Sequence, residues 1–177
     1  MPDYGRPLRF GVFPTPEAGK LDEVFALARV ADQEGLEYVG IQDHPYQRRF
    51  LDTWMLLAVL AARTGRIRLF PDVANLPLRL PAVLAKSAAS LDRLSGGRFE
   101  LGLGAGSFWE AIGAMGGPVR KPGEAVDALE EAIQVIRLTW SDQRSVSFAG
   151  TYYSLEGFHP GPPPAHDIDI WLGAYRP

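Results

Sequence analysis

The chain alternates short apolar runs with longer segments in which apolar residues recur at helical spacing. Short runs that are rich in branched and aromatic side chains are typical of buried strands. Apolar residues at helical spacing indicate helices with one buried face. Because the two kinds of segment alternate along the chain, the pattern predicts an α/β fold made of parallel βα units.

Predicted strands and long helices account for most of the chain. Gly35 and Gly65 follow the first two helices, as glycine often does at a helix end. In the last helix, the predicted buried face is marked by apolar residues spaced three, four and three apart, Val126, Leu129, Ile133 and Ile136. The predicted strands are 8–13, 38–42, 67–73, 98–106 and 168–174, and the predicted helices are 21–34, 53–63, 82–94 and 123–139.

Two architectures are compatible with parallel units joined by right-handed crossovers. A doubly wound open sheet of five strands suits a single domain, residues 1–177. The first part of a (β/α)8 TIM barrel suits the residue patterns better, although a whole barrel takes about 250 residues.

A hairpin is predicted at 145–156, around Gly150, as an insertion outside the main βα pattern.

Composition excludes several classes of function. The net charge of -3 argues against a nucleic-acid partner, because phosphate binding depends on clustered cations. There are no cysteines, and His44, His159 and His166 lack the spacing of metal ligands, so no metal site is expected. The sequence has no signal segment and no apolar run of about 18 residues, so we expect a cytoplasmic protein without membrane contact.

The second predicted strand ends in three polar residues, Gln42, Asp43 and His44. Parallel α/β folds hold catalytic groups at the carboxyl ends of strands, where the sheet fixes them and the loops admit substrate. A loop whose polar groups face water is the simpler interpretation. Asp43 could also combine with Asp72 or Glu110 into the carboxylate pair of a glycoside hydrolase, whose separation the sequence does not specify.

The third and fourth strands end in stretches that suit a flat ligand. Asp72 and Asn75 lie at the end of strand three, where Asn75 either caps a turn or hydrogen-bonds a planar heterocycle. The run LGLGAGS has glycine at 102, 104 and 106, where the backbone can approach a ring or the sheet can pack tightly. It contains neither a G-x-G-x-x-G fingerprint nor a Walker sequence.

Residues 76–106, LPLRLPAVLAKSAASLDRLSGGRFELGLGAG, resemble the bacterial luciferase-like family of flavin-dependent enzymes. GLEYVGIQDHPY, residues 35–46, is similar to the family segment that ends in an acidic residue and histidine. GEAVDALEEAIQVIRLTW (123–140) and GTYYSLEGFHPGPPP (150–164) resemble its fourth helix and the hairpin before strand five. The resemblance therefore covers almost the whole chain.

The resemblance implies a (β/α)8 barrel that binds a flavin-type ring at the carboxyl ends of its strands. The cofactor would be FMN or coenzyme F420, an 8-hydroxy-5-deazaflavin, and the enzyme an oxidoreductase or monooxygenase acting on a small organic substrate. Family members are usually about twice as long, so the chain would supply the first five βα strands of an incomplete barrel. It would then form a homodimer or pair with a missing C-terminal half.

The resemblance also implies roles for individual residues. His44 would be the polar group over the reacting face of the ring, and Asp43 would orient it or touch the ring edge. A non-prolyl cis peptide is common in the family at Asp72–Val73, although a glycine often replaces the aspartate. Asn75 would bond the polar edge of the ring. The implied cofactor contacts are Asp72, Val73, Ala74, Asn75, Gly104, Ala105 and Gly106.

Two other interpretations stay open. One is a non-catalytic flavin-binding or subunit-like homologue, whose function would not depend on His44. The other is a flavodoxin-like carrier, whose phosphate would lie on the loop after strand one. That loop, PTPEAGK, lacks the Ser/Thr-rich phosphate cradle of such carriers.

Overall fold

The computed structural model describes Gly5 and residues 7–174, so the ends of the predicted domain (1–4, 6 and 175–177) lie outside the described residues. Each predicted strand is present, in a shorter form. The strands are β1 (Gly11–Val12), β2 (Tyr38–Ile41), β3 (Arg68–Pro71), β4 (Ala74–Asn75), β5 (Leu101–Gly104), β6 (Val146–Ala149), β7 (Ser154–Phe158) and β8 (Ile170–Leu172).

The four predicted long helices are present, and a short helix that was not predicted follows β5. This short helix has 6 residues, too few to show a helical period in the sequence. Among the described residues, none of the helices combines the length and the apolar character needed to cross a membrane. The helices are α1 (Leu21–Gln33), α2 (Thr53–Arg63), α3 (Pro81–Ser95), α4 (Trp109–Ala114) and α5 (Pro122–Thr139).

The parallel strands lie in chain order. β1, β2 and β3 form one sheet and β4, β5 and β8 another, and a bridge between Leu69 and Phe99 joins the two. β3 lies within the predicted strand 67–73, and β4 begins just after it. Between them is the Asp72–Val73 peptide, which is cis as the resemblance implied. A doubly wound sheet reverses its strand order at a switch point, so that architecture is wrong for this chain.

The core lies between the helices and one face of the sheet. Successive strand residues point to opposite faces, so that Val39 and Ile41 join the core cluster with buried side chains of α1, α2, α3 and α5. On the other face, the rings of Tyr38, Phe70 and Trp171 lie with centroids 4.8 to 5.9 Å apart. The helices therefore cover one face, and an aromatic cluster occupies the other.

The buried face of α5 agrees with the predicted one only in part. Of the predicted residues, Ile136 is buried, Leu129 and Ile133 are partly buried, and Val126 is exposed. The alanines Ala125, Ala128 and Ala132 are buried. The helix packs against α3, whose own buried residues include several alanines. Small side chains on both helices let the two backbones approach closely, so the alanine face turns inward.

A polar cluster at the amino ends of the strands fixes the segment that leads into β8. Asp92 and Glu100 are buried, and His166 bonds to both carboxylates, at 2.8 Å through Nδ1 and 3.4 Å through Nε2. Glu100 also forms an ion pair with Arg68 and accepts a hydrogen bond from the backbone of Asp169. The cluster lies at the opposite end of the strands from Asp43 and His44.

The predicted hairpin is confirmed: β6 and β7 pair antiparallel. Glu131 of α5 accepts hydrogen bonds from the backbone N–H groups of Thr151, Tyr152 and Tyr153 at 2.7 to 3.0 Å. A side chain at Gly150 would collide with this carboxylate. The turn of the hairpin is thereby attached to the helix.

Candidate active site

His44 follows β2 and lies in a cluster of aromatic rings. Its Nδ1 is 2.6 Å from the hydroxyl of Tyr46. The edge of the ring meets Phe108, from the loop after β5, with centroids 5.4 Å apart and planes at 85°. Partial burial lowers the pKa of the imidazole below its usual value, against the attraction of the Asp43 carboxylate, which raises it. The imidazole is therefore neutral at neutral pH.

Asp43 is 2% exposed and fully paired. Arg79 donates to both carboxylate oxygens, from Nε at 2.9 Å and from Nη2 at 3.0 Å, and the backbone N–H of Asn75 donates at 3.1 Å. The hydrogen bond of His44 goes to Tyr46 instead. In this structure Asp43 therefore ties the end of β2 to the end of β4.

Arg79 was not singled out from the sequence, although it is central to the site. Its guanidinium also donates to Asp52 at 2.8 Å and lies over the ring of Trp54, 5.6 Å from the centroid. Asp52 in turn caps α2 by accepting N–H groups of Trp54 and Met55. A single arginine in the apolar run LPLRLP was the signal that could have revealed it.

Asn75 lies in β4 opposite Gly104 of β5, and it is buried. Its side chain does not cap the following 3-10 turn, so the turn-capping interpretation is wrong. Its Oδ1 atom is buried and has no hydrogen-bond partner among the described residues. Buried oxygens of this kind are rare and costly. A ligand N–H group would satisfy this one.

The glycines at the carboxyl ends of β5 and β8 are explained first by packing. A Cβ atom on Gly104 would lie 2.6 Å from the Val73 side chain, and one on Gly173 would lie 2.8 Å from it. Gly106 has φ of +106°, and a Cβ there would lie 2.7 Å from Pro77 and from Trp109. Glycine is required at these positions whether or not a ligand lies nearby, so their role as cofactor contacts stays a prediction.

The structure brings the predicted residues to one end of the sheet. Asp43 contacts Asn75, and His44 contacts Phe108, so the ends of β2, β4 and β5 meet. Asp72 lies at the edge of this region, where partial burial raises the pKa of its carboxyl. The side chain of Val73 packs against Gly104 and Gly173. Ala74 is buried, and Ala105 is partly buried.

The chain consists of parallel βα units with a candidate ligand site at the carboxyl ends of its strands. The set of groups fits a flat heterocycle: an unpartnered amide oxygen, a neutral imidazole and nearby glycine backbone. The chain belongs to the luciferase-like monooxygenase family, whose profile matches residues 7–177. The resemblance found in the sequence is thereby confirmed.

Several relatives are named as oxidoreductases. The F420-dependent glucose-6-phosphate dehydrogenase of Kineococcus radiotolerans is 32% identical over 98% of this chain and 53% of its own length. The coenzyme F420-dependent tetrahydromethanopterin reductase of Methanopyrus kandleri superposes with a TM-score of 0.80 at 27% identity, covering 94% of this chain and 50% of that one.

A third similar structure contains FMN. It is the oxygenating constituent of 3,6-diketocamphane monooxygenase from Pseudomonas putida, with a TM-score of 0.74 at 24% identity, and it covers 92% of this chain and 50% of that one. At this level of identity the likeness concerns the fold. The chain spans about half the length of the relatives that it matches.

Proposed function

We propose that the chain supplies the first five βα strands of a (β/α)8 barrel in a flavin-type oxidoreductase or monooxygenase that acts on a small organic substrate. The observation that carries the proposal is the buried Oδ1 of Asn75, which lacks a partner at the strand ends. His44 and Asp43 follow the adjacent strand. A parallel βα fold places ligands at this end of the sheet.

The cofactor is coenzyme F420 or FMN. Relatives support both, since one is named as F420-dependent and another structure is a complex with FMN. Asn75 would accept a hydrogen bond from the ring N–H that lies between the two ring carbonyls. Asp72, Val73 and Ala74 would lie behind the ring, and the backbone of 104–106 would run along it.

When bound, either cofactor would supply hydride transfer, and FMN would also allow reaction with oxygen. The chain's own residues would orient the reactants and handle the proton. His44 suits proton transfer because an imidazole can both accept and donate a proton, and burial lowers its pKa so that the neutral form prevails at neutral pH. Asp43 would keep the ends of β2 and β4 at a constant separation, which holds Asn75 against the ring.

The test is a tryptophan-fluorescence titration of the chain with FMN and, separately, with coenzyme F420. Trp109 lies near the strand ends, and Trp171 lies on the face of the sheet that the helices do not cover. Binding of the cofactor ring should therefore quench their fluorescence. Saturable binding of one cofactor identifies it. If neither binds, the proposal that this chain holds the ring is wrong.

Asn75→Leu tests the site itself. We expect the affinity for the cofactor to fall at least about tenfold, because one hydrogen bond in a buried site is lost. We expect the melting temperature to stay the same or rise, because the variant removes a buried oxygen without a partner. Gln143→Leu, at an exposed amide far along the chain, is the control and should leave the affinity unchanged.

Equal affinity in Asn75→Leu and the original chain would exclude Asn75 as a ring contact. His44→Gln then separates an enzyme from a non-catalytic homologue. If the ring binds and the hydride transfer of the enzyme is unaffected by His44→Gln, the imidazole has no catalytic role.

A further inference from the structure

We infer that Tyr46 is a positioning residue: its hydroxyl donates a hydrogen bond to Nδ1 of His44 and so holds the neutral imidazole in the tautomer with its proton on Nε2. Nothing in the sequence pattern or the family resemblance assigned a role to Tyr46. The hydrogen bond itself is independent of the proposed function. Its catalytic consequence rests on that function.

Two aromatic rings, those of Tyr46 and Phe108, hold His44 in place. The centroids of His44 and Tyr46 are 5.4 Å apart, and Phe108 lies 5.4 Å from the first and 5.9 Å from the second. Pro45 stands between the histidine and the tyrosine and restricts the backbone that joins them. The imidazole therefore has one orientation, with Nδ1 toward the tyrosine.

The chemistry of the two groups indicates the direction of the bond. Nδ1 and the phenol oxygen are 2.6 Å apart, so the two groups are hydrogen-bonded. A phenol is also a stronger donor than acceptor, and an imidazole nitrogen with a lone pair is a good acceptor. The hydrogen bond made by one ring nitrogen sets the proton on the other.

The charges around His44 leave the ring neutral. Burial lowers its pKa, and the carboxylate that raises it, Asp43, forms an ion pair with Arg79. The guanidinium of Arg79 also forms an ion pair with Asp52. The loop after β5 presents Phe108, an apolar ring. A neutral ring has two tautomers, so the partner of Nδ1 decides which of them is present.

The catalytic consequence concerns the substrate. With the proton on Nε2, His44 offers a hydrogen-bond donor to the group that lies over the cofactor. That group would be an acceptor such as a carbonyl oxygen or an imine nitrogen. An alcohol substrate would need the opposite tautomer. The structure therefore favours a substrate that carries a C=O or C=N group.

The test is ¹H–¹⁵N NMR of the histidine side chains in the free chain and in Tyr46→Phe. In the original chain, the neutral His44 ring should show the tautomer with the proton on Nε2. Tyr46→Phe keeps the ring contacts and removes the donor to the neutral form, so we expect the pKa of His44 to rise by about 0.5 to 1 unit.

The opposite results overturn the inference. A fall in the pKa in Tyr46→Phe would mean that the tyrosine accepts the bond from Nδ1–H, and no change would mean that the bond is absent. The tautomer of the original chain is a separate measurement, so a Tyr46→Phe chain that fails to fold does not remove the test.

Two controls accompany the measurement. Nδ1 of His159 lies 2.6 Å from the carbonyl oxygen of Arg144, which can only accept, so this ring must carry its proton on Nδ1 and gives the opposite signal in the same spectrum. Phe108→Leu removes a ring contact but leaves the hydrogen bond, so it should preserve the tautomer of His44.

The experiment is independent of the cofactor. If neither FMN nor coenzyme F420 binds but the His44 pKa rises in Tyr46→Phe, the proposed function fails and the positioning role stands. If a cofactor binds and the pKa of His44 does not change in Tyr46→Phe, the positioning role of Tyr46 fails and the proposed function stands.

Discussion

At the scale of single residues, the pairing of Asp43 with Arg79 decides the geometry of the site. A carboxylate with no exposed side-chain surface is tolerated only if its charge is compensated and its oxygens are hydrogen-bonded. Arg79 supplies both through two parallel hydrogen bonds. Because Asn75 donates its backbone N–H to the same carboxylate, the position of its side chain depends on this pair.

Arg79→Met is expected to destabilise the chain by about 3 to 5 kcal/mol, because it leaves the buried charge of Asp43 uncompensated. Asp43→Asn in the same chain removes that charge, and its amide oxygen can still accept the N–H of Asn75. The double variant should therefore recover a large part of the loss. Urea unfolding of the single and double variants measures both effects.

The exposed arginine of α1, Arg29, is the matched control. Arg29→Met should change the free energy of unfolding by less than about 0.5 kcal/mol. If the double variant is no more stable than Arg79→Met alone, the pair is not the reason for the loss, and another contact of Arg79, such as the one with Trp54, is responsible.

At the scale of elements, the attachment of the hairpin to α5 depends on Glu131. Burial alone would raise the pKa of this carboxyl, but three backbone N–H groups and the nearby Arg120 hold it below its usual value. A carboxyl whose pKa is lower in the folded state stabilises the fold above its unfolded pKa, and the contribution disappears as the pH falls through the folded pKa.

Glu131→Ala should release the hairpin turn while leaving the rest of the fold intact. We expect faster hydrogen exchange in a peptide that covers β6 and β7, and no change in α3. Mass spectrometry of exchanged peptides measures this. In the original chain, protection of the same peptide should be lost as the pH falls below the ordinary pKa of a glutamate, because the Glu131 carboxyl becomes protonated only in that range.

The neighbouring residue provides the control. Glu130 is exposed on the same helix. Glu130→Ala therefore makes the same change in composition and charge but leaves the hydrogen bonds of Glu131 in place. Faster exchange of the hairpin in both variants would mean that helix stability, and not the hydrogen bonds of Glu131, holds the turn.

At the scale of the whole molecule, the sheet has an edge at β1 and another at β8. Next to β1, Leu8 is 70% exposed, Phe10 62% and Phe13 54%, and at β8 Leu172 is 54% exposed. Unpaired strand edges with large apolar side chains favour pairing with another surface. That surface, either a second copy or a C-terminal half, remains a prediction.

We expect the chain to self-associate in a concentration-dependent manner when it is alone in solution. Sedimentation velocity at several concentrations measures this. Phe10→Ser with Phe13→Ser should reduce association, because apolar area at the β1 edge is removed. Leu94→Ser, at a side chain that is 82% exposed on α3, is the control and should have no effect. A sedimentation coefficient that does not depend on concentration would contradict the prediction.

Some features could be predicted because they depend on neighbours along the chain. α2 begins at Thr53 as predicted, since Asp52 caps it, and the helix ends at Arg63, before Gly65. The hairpin around Gly150 was recognised for the same reason. The buried face of α5 was predicted only in part, because the apolar pattern does not show that the neighbouring helix presents alanines.

The candidate site also combines features that the sequence indicates with contacts that it does not. Tyr46 lies only two residues from His44, but the pattern does not tell which way a loop side chain turns. The partnership of Asp43 with Arg79 joins residues 36 positions apart, so no local signal reports it.

By itself, the sequence determined the order of strands and helices, the polar residues at three strand ends and the family, because these follow from local periodicity and from contiguous motifs. Only the tertiary structure decided that Arg79 neutralises Asp43, that Tyr46 bonds His44 and that Asn75 keeps an oxygen without a partner. The physical reason is that burial and hydrogen bonding depend on which distant segments meet, and that is settled only when the sheet assembles.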